Sequence, residues 1–311
     1  MTLSAGPSLA APGGAQLGAA TAAAVSAPRA RDLLVFVKPH IDATFAFVGL
    51  TGVLLAWGGA GAFPFRPALL VSASALLLGA GAECWTNIRD RDIDALMPRT
   101  AGRPLVTGRI SLRQATVLAT VLTTAGLGLA LGLGMIAFLF LVLALISNVV
   151  VYSLVTKRST PWSIVLGSGV GSLVLWAGYA AVHAPISDAA GLLGAMVAVW
   201  VFVHIWVIAL RYREDYALAG VPMAPLVWTR GQLTAALAGS ALAMGALAVG
   251  ALLALGSPAG RWVALPVGII SALIVAAAAA APSREGLAGP LIRVITVYLV
   301  VVLGAAIGCA L

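Results

Sequence analysis

The run from Glu83 to Asp94 sets four carboxylates, Glu83, Asp90, Asp92 and Asp94, around one amide, Asn87. On a helix each residue advances about 100°, so Asp90 and Asp94 lie one turn apart on one face. Thr86 and Asn87 sit a turn deeper on that face and Glu83 two turns from Asp90, while Asp92 points the opposite way. Two carboxylates a turn apart suit a hard cation such as magnesium, which takes oxygen ligands and leaves positions for substrate phosphates. Asp90 and Asp94 are therefore candidate catalytic metal ligands, with Asn87 beside them as a further candidate ligand. Arg99 and Arg103 follow in the next loop, and guanidinium groups grip phosphate oxygens bidentately. Together these residues predict a metal–diphosphate site.

Two further clusters carry the same residue types. In Arg211 to Tyr216, Glu214 and Asp215 are candidates for a second metal, and Arg211 and Arg213 for phosphate; the same residues would also make an ordinary charged helix end. In Tyr152 to Pro161, Lys157 and Arg158 are suited to neutralise a departing diphosphate, or serve only as topology charges. Trp85, Trp206 and Tyr152 offer aromatic faces to a carbocation. Glu83 lies within an apolar run, where an ionisable group is expensive and often functional. It would take a proton, orient an acceptor, or pair structurally with Thr or Trp. His204 is either an acceptor contact or a helix histidine with a local hydrogen bond.

The elements that must hold these groups are membrane helices. The chain of 311 residues is 61% hydrophobic and 9% charged, against about a quarter charged in soluble domains. Nine apolar blocks near spanning length run over residues 33–57, 67–88, 112–133, 135–155, 163–182, 189–209, 233–255, 263–281 and 291–310. The net charge of +8 does not indicate nucleic acid, because of where the charges fall. With nine crossings, every Lys and Arg except Arg66 and Arg261 lies on one side. The positive-inside rule then puts the N-terminus and the chemistry in the cytoplasm and the C-terminus outside. Residues 1–30 read as a disordered cytoplasmic tail, 31–311 as the membrane domain. Cys84 and Cys309, alone in their spans, make neither a disulfide framework nor a zinc site.

Between Val37 and Pro225 the motifs resemble the UbiA superfamily of membrane prenyltransferases. The resemblance is carried by Val37-Lys38-Pro39-His40-Ile41, by Asp90 to Thr100 with the following Arg103-Pro104-Leu105, by Lys157 to Pro161, and by His204 to Trp206 with Arg211 to Met223. It implies an all-α fold of nine helices around a central cavity open to the cytoplasm, in a bacterial or archaeal cell membrane. It implies magnesium on Asp90, Asp94 and Asp215, with Glu214 nearby. It implies an isoprenoid diphosphate, the farnesyl one, meeting Lys38, Arg99, Arg103, Lys157 and Arg158, with Tyr152, His204, Trp206, Arg211 and Tyr216 completing the substrate site. The closest likeness is to the branch that farnesylates protohaem IX, which implies haem B as acceptor. One departure keeps other acceptors open, a quinone precursor, a chlorin, a glycerol lipid, or internal quenching by cyclisation: Val201-Phe202-Val203 stands where that branch has Gln-Pro-Pro. A second bears on the metal: Thr86 stands where the motif has Asn, with Asn87 one residue later. A transporter would need inverted repeats and mid-membrane breaks, and the sequence has no convincing repeat.

Overall fold

The computed structural model describes residues 29–183 and 185–311. The tail expected over residues 1–30 lies, apart from Arg29 and Ala30, outside the described residues. A short amphipathic helix, α1 (Ala30–Val37), precedes the first crossing helix, α2 (Pro39–Trp57). There follow α3 (Phe65–Arg89), α4 (Arg91–Leu96), α5 (Leu112–Ala130) and α6 (Met135–Leu145). Beyond α6 the chain continues as a π-helix over Ile146–Thr156. The rest is α7 (Ser163–Gly167), α8 (Gly169–Ala180), α9 (Asp188–Arg211), α10 (Arg213–Leu218), α11 (Ala224–Val227), α12 (Arg230–Ala254), α13 (Pro258–Ala280) and α14 (Ala288–Ala310).

Among the described residues nine helical segments are long and apolar enough to cross a membrane, in the order expected. One boundary differs. The first crossing starts at Pro39, not Leu33, because the chain turns at Lys38, whose φ of 54° is left-handed. Proline cannot continue the hydrogen bonding of a preceding helix but fits the first turn of the next.

Each crossing helix packs on its neighbour in sequence, with α6 meeting α8, α8 meeting α9, and α14 returning to both α9 and α2. The bundle closes on itself. Its outer face is apolar, with Leu69, Val121, Leu139, Leu242, Leu265 and Val297 exposed as lipid requires. Small residues draw the helices together where side chains would intervene. At Gly178 of α8 an added Cβ would run into the Gly49 carbonyl of α2, and at Gly52 into the Leu175 carbonyl. Trp200 Nε1 donates to the Ile295 carbonyl at 2.9 Å and Ser172 Oγ to the Gly194 carbonyl at 2.8 Å, pinning α9 to α14 and to α8. Capping boxes at Ser111–Gln114 and Thr229–Gln232 start α5 and α12 at the end that carries the acids.

Candidate active site

The acidic run begins at the end of α3 and does not stay on one continuous helix. Asp90 caps α3 with φ −94° and ψ 3°, and α4 restarts at Arg91. The one-turn relation survives the break, because the Asp94 amide still donates to the Asp90 carbonyl at 2.8 Å. Both side chains turn inward: Asp90 is 1% exposed and Asp94 4%. Asp92 points out as expected, its side chain 66% exposed.

Each inward acid meets a base from another part of the chain. Lys157, just past the π-helix, pairs with Asp90 Oδ2. Arg158 Nη2 stands 3.7 Å from Asp90 Oδ1, which is buried and accepts no hydrogen bond among the described residues. Arg158 also forks onto Asp92 at 2.6 and 2.7 Å and donates to the Arg89 carbonyl at 2.6 Å. That fork holds the Asp92 carboxyl well below the usual carboxylate range. Burial opposes the Lys157 charge, but the adjacent Tyr152 and Asp90 oxygens hold its ammonium above the ordinary lysine range. The Tyr152 ring centroid is 5.5 Å from Lys157 Nζ, and the ring is seated where Gly167 leaves room for its Cβ.

Asp94 pairs with Arg103 at 2.5 Å. The same Arg103 nitrogen donates to Asn87 Oδ1 at 3.1 Å, and Asn87 Nδ2 donates to the Phe36 carbonyl at 3.0 Å. Asn87, expected as a metal ligand, is thus engaged at both ends and ties α1 to the site. The second cluster joins through Asp215, which accepts from the Arg99 amide at 3.3 Å, with Arg99 Nε 3.7 Å away. The Arg99 guanidinium lies 4.8 Å over the Tyr212 ring and Arg211 5.6 Å from the same ring. Glu214 and Arg213 are exposed. Tyr216 is buried with Ile93, Met97 and Met223, holding α10 against α4. The structure therefore gathers Asp90, Asp94, Asp215, Arg99, Arg103, Lys157 and Arg158 into three sets of ion pairs at one end of the bundle, with Asn87 on the Arg103 side.

Other expected residues lie apart from that network. Glu83 pairs with Lys38 deeper along α3. His204 stacks on Trp200, ring centroids 4.9 Å apart, and its Nδ1 takes no hydrogen bond among the described residues. Trp206 is buried against Trp228 and Phe202. Trp85 faces α5, donating to Thr123 Oγ1 at 3.2 Å, and is turned from the ion pairs. Two residues were missed by sequence reasoning. Tyr212 carries two guanidinium groups, and its place between Arg211 and Arg213 was the available signal. Asp42, buried in α2, was visible as an ionisable residue within an apolar run.

Among the described residues no three His, Cys, Asp or Glu side chains stand close enough to form a metal cage alone. Magnesium does not need one, since it is usually held by one or two carboxylates and completed by phosphate and water. The buried Asp90 Oδ1, which accepts no hydrogen bond among the described residues, is an oxygen acceptor of the kind such an ion takes, so the residues fit that ion.

Residues 45–289 match the family model for UbiA prenyltransferases. The protoheme IX farnesyltransferase of Thermoplasma volcanium is 36% identical over 196 residues, 63% of this chain and 68% of that one. Its namesake from Kineococcus radiotolerans is 39% identical over 202 residues, 64% of this chain and 59% of that one. The matches thus span roughly two thirds of these relatives or less. Among solved structures, a UbiA homologue from Archaeoglobus fulgidus bound to GPP and Mg2+ superimposes with a TM-score of 0.67 at 18% identity, covering 89% of this chain and 99% of that one. A digeranylgeranylglyceryl phosphate synthase gives 0.67 at 20% identity, covering 90% and 98%. Because the family match takes in both acid-bearing segments and everything between them, the chain belongs to the UbiA prenyltransferase family, a membrane prenyltransferase by sequence and by fold.

Proposed function

We propose that this prenyltransferase moves a farnesyl group from farnesyl diphosphate to haem B, with Asp90, Asp94 and Asp215 serving magnesium and the basic residues around them serving diphosphate. The observation that carries the diphosphate half is the pairing of the inward Asp90 and Asp94 with Lys157 and Arg103, and of the half-buried Asp215 with Arg99. Acids suited to magnesium and bases suited to phosphate thus face each other at one end of the bundle. When bound, magnesium would supply a Lewis acid against the charge growing on the departing diphosphate. Lys157, Arg158, Arg103 and Arg99 stabilise that same charge in a site the helices keep poor in water. Tyr152, next to Lys157, presents an aromatic face toward the carbon left behind. The haem half is supported by the names of relatives about 36% identical. A cytoplasmic site is supported by the basic residues on its side of the membrane, which the positive-inside rule favours there.

Purified protein in detergent, incubated with farnesyl diphosphate, magnesium and haem B, tests this by mass analysis. A haem product heavier by farnesyl plus hydroxyl is expected. Diphosphate release with unmodified haem would reassign the acceptor, and no magnesium-dependent release at all would overturn the diphosphate site.

A further inference from the structure

Beneath the ion pairs lies a polar group with no role in holding diphosphate. Asp42, in the first turn of α2, is 2% exposed, and its Oδ2 is buried without a hydrogen bond among the described residues. Its other oxygen rests against α3 at Gly79, where an added Cβ would meet Oδ1 at 2.5 Å. With Glu83 and Asn148, Asp42 lines a partly open pocket of about 50 Å³, otherwise walled by apolar side chains such as Phe45, Leu78, Leu141 and Val174. Glu83 is committed to Lys38. Asp42 is the uncommitted carboxyl of the two. A buried carboxyl without a partner is costly, and inside a membrane such a group facing a cavity reads first as functional.

Its depth fits that role. Glu83 lies seven residues before Asp90 on α3, roughly 10 Å along the helix axis. The pocket therefore opens below the acids, where an apolar chain anchored by its diphosphate would enter. Prenyl transfer to a neutral acceptor also releases a proton, and none of the ion-paired acids is free to take it.

We infer that Asp42 accepts the proton released in prenyl transfer. The farnesyl C1–oxygen bond breaks and its electron pair leaves with diphosphate. The acceptor's vinyl π electrons form the new carbon–carbon bond at C1. Water adds to the cation left on the acceptor, and one of its protons passes to Asp42. Naming the vinyl group rests on the haem reading above; the need for a proton acceptor does not.

Two measurements on the full chain in detergent test this. Dicyclohexylcarbodiimide condenses with protonated carboxyl groups in apolar surroundings. Peptide mass analysis should find the adduct on Asp42, suppressed at least about fivefold by farnesyl thiodiphosphate with magnesium. An unlabelled Asp42, or labelling the analogue does not suppress, overturns the assignment. In the second arm, Asp42→Asn should lower farnesylated haem by about 100-fold or more, the scale of a lost general base. It should bind the thiodiphosphate within about threefold of wild type, and Asp42→Glu should restore part of the product. Product near the wild-type level, or lost analogue binding, overturns it. If the wild type leaves haem B unmodified, the acceptor reading fails, and the labelling arm still decides the role of Asp42.

Discussion

Lys157 reaches from just beyond the fourth span to close over Asp90, and the two are buried as a unit at the break between α3 and α4. Removing one partner strands the other. Asp90→Ala should therefore cost stability on the order of 3–5 kcal/mol as well as activity. Replacing both with apolar residues, Asp90→Leu with Lys157→Met, should recover most of the stability and none of the activity. Thermal unfolding in detergent and magnesium-dependent diphosphate release separate the two effects. Equal stability of the single and double variants would show that the pair is not energetically coupled.

Asn87 is bonded at both ends, to Phe36 and to Arg103. Asn87→Ala leaves a buried carbonyl and a guanidinium short of partners, a loss of about 1–3 kcal/mol. The local sign is faster hydrogen exchange at the amides of Ala30–Val37, with α5 unchanged. If Asn87 served the metal alone, exchange in α1 would not move.

Lys38 holds a left-handed backbone that costs a side chain roughly 1–2 kcal/mol. Lys38→Gly relieves that strain but strands Glu83. In a Glu83→Gln background the same change should become stabilising. A midpoint of unfolding that falls equally in both backgrounds would contradict this account.

Gly178 and Gly239 offer a matched comparison. The first meets the backbone of α2, while nothing lies within 4 Å of the second. Gly178→Val should prevent α8 from seating against α2 and yield aggregated protein, whereas Gly239→Val should purify as wild type. Size-exclusion profiles decide between them.

The Asp92 pair supplies a pH signature. Arg158 holds the folded-state carboxyl below its ordinary value, so its contribution is present at neutral pH and lost as pH falls. Because the Asp92 side chain is two-thirds exposed, the effect is small and screened by salt. Unfolding midpoints of wild type and Asp92→Asn should differ slightly at pH 7 and begin to converge only as pH falls below about 4.

The helices and the acids were legible because each rests on a local rule. Twenty apolar residues specify a span, and a four-residue spacing specifies a shared face, which is why Asp90 and Asp94 were paired from sequence. What depends on partners distant in the chain was not legible. Nothing local to Asn87 says that its amide meets Phe36, 51 residues away. Nothing near Arg158 says that it forks onto Asp92. The break at Lys38 was hidden because apolar residues lie on both sides of it; only the following proline marked it. Asp42 was in view, but its significance depends on Gly79 and on a cavity that no spacing rule describes.

The wide winding of Ile146–Thr156 has an evolutionary corollary. Its backbone bonds skip five residues, as from the Lys157 amide to the Tyr152 carbonyl, so the coil has absorbed length that a deletion could return. Losing one residue there would tighten the coil toward an α-helix while Ser147 stays anchored on Gly167 and the following ammonium keeps its place over Asp90. The coil is thus a place where the chain length between Asp90's partner and the fourth span can change without disturbing the site.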